Sequence, residues 1–327
     1  MSLSLAVVGA TGLVGRTMMK VLEERNFPFD RLTLLASERS AGKRLKFMGK
    51  SYTVQKLDEK SFDGIDIALF SAGGDTSRRY APIAAEVGTV VIDNSSAWRM
   101  EKGVPLVVPE VNPEEAAKHN GIIANPNCST IQLVVALKPL HEKFGLQRVI
   151  VSTYQSISGA GQSGVDQLKS ELKGKKPENP KFSRQAAFNT IFHSFPEGKD
   201  STEEELKMMN ETRKIMGLPK LPITVTCVRI PTTGAHAESV NVEFQRQTSP
   251  SRARKVLEKA PGIVVMDAPE ADSYPTILDA EGRDEVFVGR IRKDPTQGST
   301  LNMWVVSDNL RKGAATNAVQ IAELLHG

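Results

Sequence analysis

Residues 3–15, LSLAVVGATGLVG, decide the fold of this chain. A short apolar run meets a glycine-rich turn, after which apolar residues recur at helical spacing, so the stretch predicts a strand, a tight turn and a helix. Gly9, Gly12 and Gly15 have the spacing GxxGxxG, a variant of the dinucleotide fingerprint. Glycine lets the backbone approach a pyrophosphate, and the start of the helix attracts its charge. The alternative is a turn whose glycines serve only strand-to-helix packing.

The N-terminal part of the chain alternates short apolar runs with helix-like segments. After the first strand, the apolar runs are residues 32–36, 65–70, 87–92 and 122–124. Helix-like segments, such as residues 76–86, lie between some of them. Because strands that alternate with crossover helices form parallel sheets covered on both faces, we predict an α/β, Rossmann-type dinucleotide-binding domain.

From residue 146 onward the strand-like segments are longer and alternate more, which predicts a second, α+β domain with a mixed or antiparallel sheet. A charged helix is predicted over residues 201–216, with a capping signal that begins at Ser201. The chain ends in an amphipathic helix, which we expect to pack back onto the first domain. The prediction is a dinucleotide-binding domain of residues 1–128 and 309–327, and a catalytic and dimerisation domain of residues 129–308.

Composition excludes several classes of protein. The 327 residues suffice for about two domains at roughly 150 residues each. Lys and Arg number 42 against 38 acidic residues, without a basic block, so nucleic acid is a poor partner and a small anionic substrate remains compatible. No apolar run approaches the ~20 residues of a membrane span, and no signal peptide is evident. We expect a cytoplasmic protein without a membrane partner.

Two cysteines, Cys128 and Cys227, are far apart and form no CxxC pair, so neither a zinc site nor a disulfide framework is expected, and no metal is predicted. Cys128 precedes a strongly apolar helix. Amides at a helix start can lower a thiol pKa from ~8.5 to roughly 3.5–7.5, which favours a reactive thiolate over the alternative of an inert, buried thiol. Cys227, within an apolar strand, is typical of the inert case.

The loop after the second strand bears on coenzyme choice. A carboxylate there binds the ribose hydroxyls of NAD, whereas a basic residue accommodates the extra phosphate of NADP. Glu38 and Arg39 offer both chemistries. Ser37, Arg39 and Ser40 make a plausible phosphate site, so NADP is favoured; the alternative is a solvated polar turn.

Among the five histidines, His236 stands out because it follows a strand that runs into a Pro/Gly loop, where functional groups are often displayed. His119, His141, His193 and His326 are expected to have surface or packing roles.

Several motifs, in their order and spacing, resemble the bacterial branch of the aspartate-β-semialdehyde dehydrogenases over nearly the whole chain. They are GATGLVG at 9–15, SAGG at 71–74, NSSAWRM at 94–100, NPNCST at 125–130, SGAG at 158–161 and NLRKG at 309–313. The resemblance implies the reversible, NADP-dependent reductive dephosphorylation of aspartyl phosphate to aspartate semialdehyde through a cysteine thioester. The reaction serves lysine, methionine, threonine and diaminopimelate biosynthesis.

The resemblance also implies roles for individual residues. Cys128 is the expected nucleophile, His236 the general acid/base, Gln155 the residue that orients the intermediate, and Asn127 its neighbour. The expected substrate-binding residues are Arg229 for the carboxylate and, for the phosphate, Arg99, Lys207 and Glu204. The expected coenzyme-binding residues are Gly9, Thr11, Gly12, Leu13, Val14, Ser37, Arg39, Ser40, Ser71, Gly73, Ser158, Gly159 and Asn309.

Two other functions stay open at this point. N-acetyl-γ-glutamyl-phosphate reductase would share the architecture, the cysteine and the coenzyme, although the NPNCST and SGAG motifs favour the semialdehyde enzyme. A non-catalytic dinucleotide sensor would use the glycine turn and keep Cys128 as a structural residue. The resemblance further suggests a homodimer or a dimer of dimers.

Overall fold

A computed structural model describes residues 3–326. The chain divides into two compact units, the first made of Met1–Asn127 and Ala314–Gly327 and the second of Cys128–Gly313. Dinucleotide binding by the first domain, and catalysis and dimerisation by the second, remain predictions. No helix in the described range is long and apolar enough to cross a membrane.

The elements follow one another along the chain. The strands are β1 (Ser4–Val8), β2 (Arg31–Ala36), β3 (Arg44–Phe47), β4 (Lys50–Thr53), β5 (Gln55–Lys56), β6 (Ile67–Phe70), β7 (Val90–Asp93), β8 (Ile122–Ala124), β9 (Leu146–Ser156), β10 (Ile191–Phe192), β11 (Ile223–Ile230), β12 (His236–Phe244), β13 (Ile263–Val265), β14 (Val286–Lys293) and β15 (Thr300–Ser307). The helices are α1 (Leu13–Glu24), α2 (Gly74–Glu86), α3 (Cys128–Phe144), α4 (Gln162–Leu172), α5 (Glu203–Ile215), α6 (Pro250–Leu257), α7 (Ile277–Ala280) and α8 (Thr316–His326).

The first unit contains a parallel sheet with the strand order β5-β2-β1-β6-β7-β8. Counted along this sheet, the order is 3-2-1-4-5-6, the arrangement of doubly wound dinucleotide-binding sheets, in which the order reverses between β1 and β6. The predicted Rossmann-type fold is confirmed. Ligands bind in such sheets at the carboxyl ends of the strands beside this reversal, and Gly9 and Ser71 follow those two strands.

The apolar face of α1 explains why the glycine turn is followed by a helix. Met18, Val21 and Leu22 are buried and belong to one core cluster with Val319 and Ala322 of α8. The spacing of three and four residues places them on one stripe of α1, as an amphipathic helix requires.

The second unit contains a mixed sheet with the strand order β10-β11-β9-β12-β15-β14-β13. Strands β9 and β11 are parallel, whereas β12, the middle strand, is antiparallel to both β9 and β15. The predicted mixed sheet is confirmed. His236, which the sequence predicted in the loop after a strand, is instead the first residue of β12 and so lies in the sheet.

Candidate active site

The turn after β1 depends on close backbone approach. Gly9 has φ +83°, and a Cβ there would overlap the Ser71 carbonyl, 2.7 Å from its carbon. A Cβ on Gly15 would lie 2.9 Å from the Cα of Ala10. Gly12 precedes α1 and has no side chain that could accept hydrogen bonds from the first amides of the helix. This arrangement fits a pyrophosphate at the start of α1.

The other predicted coenzyme residues of the first unit surround this turn. Thr11 lies within it, and Leu13 and Val14 begin α1. Ser71 follows β6, and Gly73, with φ +86°, precedes α2.

The loop after β2 contains the residues that bear on coenzyme choice. Ser37 and Arg39 are exposed, whereas Ser40 is buried and its Oγ lies 3.4 Å from Thr11 Oγ1. Glu38 forms an ion pair with Lys56 on β5, with 2.9 Å between Oε1 and Nζ. The hydrogen bond that Lys56 donates to Glu38 raises the pKa of Lys56. Lys56 neutralises Glu38, the carboxylate that would favour NAD. The sequence did not single out Lys56, because it lies on β5, which is only two residues long.

Arg99 and Asn127 belong to the first unit. Arg99 is buried, and its guanidinium donates to the carbonyls of Asn125, at 3.0 Å, and Asn94, at 2.9 Å. It therefore holds together the chain segments that follow β7 and β8. Asn127 is buried directly before Cys128.

Cys128 is the first residue of α3, as predicted, and its side chain is half-buried. Gly313 lies against it, because a Cβ at 313 would be only 2.9 Å from Cys128 Cβ. Cys227 differs: it is fully buried, its Sγ lies 3.6 Å from Met208 Sδ, and burial raises the pKa of its thiol. Only the first of these two environments suits a thiolate that meets a substrate.

Three adjacent strands bring predicted site residues into one row. Gln155 on β9 pairs with Arg229 on β11 and with His236 on β12. Paired residues on neighbouring strands extend from the same face of a sheet. The pairing therefore groups three residues that are far apart in sequence.

Gln155 connects this row to two helices. Its side chain is fully buried, and its amide nitrogen donates to Ser129 Oγ at 2.9 Å and to Glu204 Oε1 at 3.2 Å. Since Ser129 follows Cys128 and Glu204 lies in the first turn of α5, Gln155 fixes both helix starts against the sheet. Its oxygen lies 3.1 Å from His193 Nε2.

The start of α5 differs from the prediction by one residue. Thr202, not Ser201, caps the helix, in a capping box with Glu205. Glu205, and not Glu204, forms the capping box with Thr202. Glu204 therefore accepts a hydrogen bond from Gln155, and its side chain is buried. Lys207 lies one turn later, and its Nζ is 3.8 Å from Glu204 Oε2. The exposed fraction of the Lys207 side chain is 32%.

His193 joins the cluster although the sequence indicated a surface or packing role. Burial lowers its pKa to about 4, and the charge of Arg229 acts in the same direction. Its position follows from the pairing of Ile191 on β10 with Arg229 on β11, a two-residue strand without a sequence signal.

His236 is fully buried. Its Nδ1 accepts the backbone N–H of Ser156 at 3.0 Å, and within the described residues its Nε2 has no hydrogen-bond partner. Burial, and after it the charge of Arg229, lower the pKa of His236 to about 3. The imidazole is therefore neutral near pH 7.

Ser158 and Asn309, which are predicted to bind the coenzyme, form hydrogen bonds with Ser156, the residue whose backbone N–H binds His236. Ser156 Oγ is 2.8 Å from Ser158 Oγ and donates to Asn309 Oδ1 at 3.1 Å, and Asn309 in turn donates to Ser158 Oγ at 3.1 Å. Gly159 is exposed next to this network.

Glu238 is a buried carboxyl that the sequence did not single out. It lies two residues after His236 on β12 and is fully buried. Neither of its oxygens has a hydrogen bond of good geometry within residues 3–326, although Gln132 of α3 is near enough to act on it. Burial raises the pKa of Glu238 well above its usual value, with Gln132 opposing the shift.

No group of three or more His, Cys, Asp and Glu side chains in the described part of the chain could hold a metal ion.

Comparison with known proteins agrees with this architecture. Residues 4–119 match the semialdehyde dehydrogenase NAD binding domain, and residues 137–312 match the semialdehyde dehydrogenase dimerisation domain. An aspartate-semialdehyde dehydrogenase from Aquifex aeolicus is 59% identical, over 99% of this chain and 98% of the relative.

Solved structures agree as well. Aspartate semialdehyde dehydrogenase II from Vibrio cholerae, solved in complex with ASA, has a TM-score of 0.95 and 49% identity, and covers 100% of this chain and 98% of its own. The enzyme from Candida albicans, solved with NADP, has a TM-score of 0.78 and 29% identity, with 99% of each chain covered. The resemblance stated from the motifs is confirmed: the chain belongs to the aspartate-semialdehyde dehydrogenase family.

Proposed function

We propose that this protein catalyses the reversible, NADP-dependent reductive dephosphorylation of aspartyl phosphate to aspartate semialdehyde, with Cys128 as the nucleophile. The observation that carries the proposal is the cluster centred on Gln155. A half-buried cysteine at a helix start lies next to Ser129, which Gln155 binds, and Gln155 shares a row with Arg229 and His236. The Cys128 thiol as nucleophile, the His236 imidazole as proposed general acid/base and the Arg229 guanidinium are the groups that an acyl-transfer reaction on an anionic substrate requires.

Charge explains the choice of substrate class. An acyl phosphate that also has a carboxylate is strongly anionic, and Arg229, Lys207 and Arg99 are the proposed cations that bind it. Arg229 is assigned to the carboxylate, because its planar guanidinium can form two parallel hydrogen bonds with a carboxylate. Glu204 lies 3.8 Å from Lys207 and is assigned to orienting that ammonium group toward phosphate.

The covalent steps are assigned to Cys128. In the reductive direction its thiolate bonds to the acyl carbon, and the C–O bond to phosphate breaks with its electron pair on the phosphate oxygen. After reduction, the C–S bond breaks, the electron pair returns to sulfur and the aldehyde is released. Gln155, with Asn127 beside the cysteine, holds the reacting group in position, which matters because an error of 1 Å can cost ~10²-fold in rate.

The first unit is proposed to bind NADP and its reduced form NADPH, and NADPH would supply the hydride in the reductive direction. The close-packed turn at Gly9 and the start of α1 suit the pyrophosphate, and Ser37, Arg39 and Ser40 suit the 2′-phosphate. Lys56 supports NADP over NAD, because it neutralises Glu38 beside that loop.

We assign catalysis and dimerisation to the second unit, and propose a homodimer or a dimer of dimers. We propose that the protein functions in the cytoplasm, because both cysteines would stay reduced there.

The test is an assay of NADPH formation from aspartate semialdehyde, with and without phosphate. Phosphate-dependent formation supports the proposal. Equal rates of NADPH formation with and without phosphate would indicate simple aldehyde oxidation. No NADPH formation under either condition would indicate a non-catalytic dinucleotide sensor.

A matched pair of variants makes the assay specific. Cys128→Ser should abolish turnover, whereas Cys227→Ser should retain it, because Cys227 is sealed against Met208 and is inert. Equal losses in the two variants would count against Cys128 as the nucleophile.

A further inference from the structure

Asp308 begins a turn, residues 308–313, that contacts Cys128. The turn follows β15, which ends at Ser307, and Ser307 pairs with His236 on β12, so the turn starts level with the row of site residues. Asp308 is buried, and no step of the proposed reaction uses it. A buried carboxyl group requires hydrogen-bond partners, and in the described residues those of the Asp308 side chain are backbone N–H groups.

Both oxygens of the Asp308 carboxylate hold the start of this turn. Oδ1 accepts the N–H of Leu310 at 2.8 Å and that of Arg311 at 3.1 Å, and Oδ2 accepts the N–H of Gly282 at 2.8 Å. Hydrogen bonds to a charged acceptor are roughly twice as strong as bonds between neutral groups. The side chain therefore fixes the start of the 308–313 turn and joins it to the segment that follows α7.

The backbone of Asp308 holds the end of the same turn. Its carbonyl accepts the N–H of Gly313, five residues later, at 3.0 Å. A bond over five residues is the pattern of a π-helix, and Arg311–Ala315 form one π-helical turn. Such turns are rare and occur frequently at functional sites. Asp308 thus bonds to three residues of the turn that it begins.

Gly313 is the residue of this turn that contacts the proposed nucleophile. A Cβ at position 313 would lie 2.9 Å from Cys128 Cβ and 3.3 Å from Cys128 Cα. Only a residue without a side chain lets the two chain segments approach this closely. The Gly313 backbone therefore bounds the space of the cysteine side chain and limits the directions that its Sγ can take.

The 308–313 turn has a second attachment that does not involve Asp308. Arg311 Nε donates to Asp284 Oδ1 at 2.8 Å, and the Arg311 side chain is buried. Because this ion pair remains when Asp308 is replaced, we expect loss of the Asp308 carboxylate to loosen the turn without unfolding it.

We propose that Asp308 is a positioning residue for the reaction at Cys128, because it holds the 308–313 turn so that Gly313 fixes the direction of the cysteine side chain. The proposal rests on the proposed function of Cys128. Asp308 acts through Gly313 and takes no part in the covalent steps. Since an error of ~1 Å can cost ~10²-fold in rate, a loosened turn should lower kcat.

Alkylation of Cys128 and steady-state kinetics of the full-length protein test this role together. Alkylation by iodoacetamide, followed by mass spectrometry of the Cys128 peptide, requires no turnover, so it tests the turn even if the proposed reaction fails. In Asp308→Ala we expect alkylation to be at least about threefold faster than in the wild type, because local opening uncovers a half-buried side chain. In the assay of NADPH formation we expect kcat to fall about 10²-fold, with a smaller change in KM.

The conservative variant Asp308→Asn should restore part of the loss. Its amide oxygen can still accept the N–H groups of Leu310 and Arg311, but its amide nitrogen cannot accept that of Gly282. Bonds to a neutral acceptor are about half as strong, so we expect Asp308→Asn to recover about tenfold of the kcat lost in Asp308→Ala. Its alkylation rate should lie between those of the wild type and Asp308→Ala.

Asp294→Ala is the matched control. Asp294 also accepts a backbone N–H, that of Thr296, at 2.8 Å, but it precedes β15, whereas Asp308 follows it. The eight residues of β15 separate the two carboxylates by about 27 Å. Asp294→Ala should therefore alkylate at the wild-type rate and keep its kcat.

An alkylation rate at or below that of the wild type, or a normal kcat, in Asp308→Ala that is folded by circular dichroism would overturn the proposal. Equal changes in Asp294→Ala would also overturn it, because they would indicate general loosening of the second unit. If Asp308→Ala does not fold, Asp308→Asn decides: alkylation faster than in the wild type supports the positioning role, and an unchanged rate overturns it.

Discussion

Replacement of Gly9 by alanine tests the packing at the turn after β1. A Cβ at this position would overlap the Ser71 carbonyl, 2.7 Å from its carbon, and the positive φ of +83° would also be strained. To relieve the overlap, the end of β6 must move away from β1, at the point where the sheet reverses its order. The coenzyme site should therefore change shape.

Gly88 provides the matched control, because it has φ +89° in the same unit and a Cβ there would meet nothing within 4 Å. Each substitution should cost about 1–2 kcal/mol for the left-handed backbone. Gly9→Ala should cost about 1–3 kcal/mol more, because it also overpacks. The difference between the two variants isolates the overlap.

The assay is urea unfolding of both variants, followed by NADP titration of the folded proteins. Gly9→Ala should be less stable than Gly88→Ala by the amount stated, and should bind NADP at least about tenfold more weakly, a loss of about 1.4 kcal/mol. Gly88→Ala should bind NADP normally. If the two variants have equal stability and equal affinity, the close approach at Gly9 does not shape this site.

Three further predictions concern the second unit. Gln155→Leu removes hydrogen bonds to the Ser129 hydroxyl, the His193 imidazole and the buried Glu204 carboxylate. It should therefore lower the free energy of unfolding by about 3–5 kcal/mol and greatly reduce kcat. A normal kcat in the folded variant would refute the positioning role of Gln155. Gly313→Ala should slow alkylation of Cys128 by iodoacetamide, since the new Cβ would lie 2.9 Å from the cysteine Cβ, and an unchanged rate would contradict that contact. Glu238 has a raised pKa, so the folded state binds its proton more tightly and stability falls as the pH rises from ~4.3 toward that raised pKa. Glu238→Gln cannot ionise and should be more stable than the wild type at pH 8 in denaturant titrations, with the difference vanishing near pH 4; a difference that is independent of pH would refute a protonated Glu238.

Local patterns sufficed for much of the fold. The glycine spacing and the alternation of strands and helices predicted the parallel sheet, because those signals lie within a few residues of one another. Cys128 was placed at the start of a helix for the same reason. The cap of α5 was missed by one residue, since Ser201 and Thr202 are both good caps and each is followed three residues later by a glutamate; the structure has the capping box of Thr202 with Glu205, and Glu204 contacts Gln155.

The assembled site could not be predicted from local patterns. Gln155, Arg229 and His236 form one row because of strand register, which depends on pairing between distant segments. His193 enters through a two-residue strand, and Lys56 neutralises Glu38 through another. The hydrogen bond that the Ser156 backbone N–H donates to His236 Nδ1 likewise depends on the pairing of β9 with β12.

Mass spectrometry of the protein after incubation with aspartate semialdehyde and NADP, in the absence of phosphate, tests the covalent role of Cys128 most directly. We expect an acyl adduct on the peptide that contains Cys128 and an unmodified Cys227. An active enzyme in which Cys128 stays unmodified would contradict it.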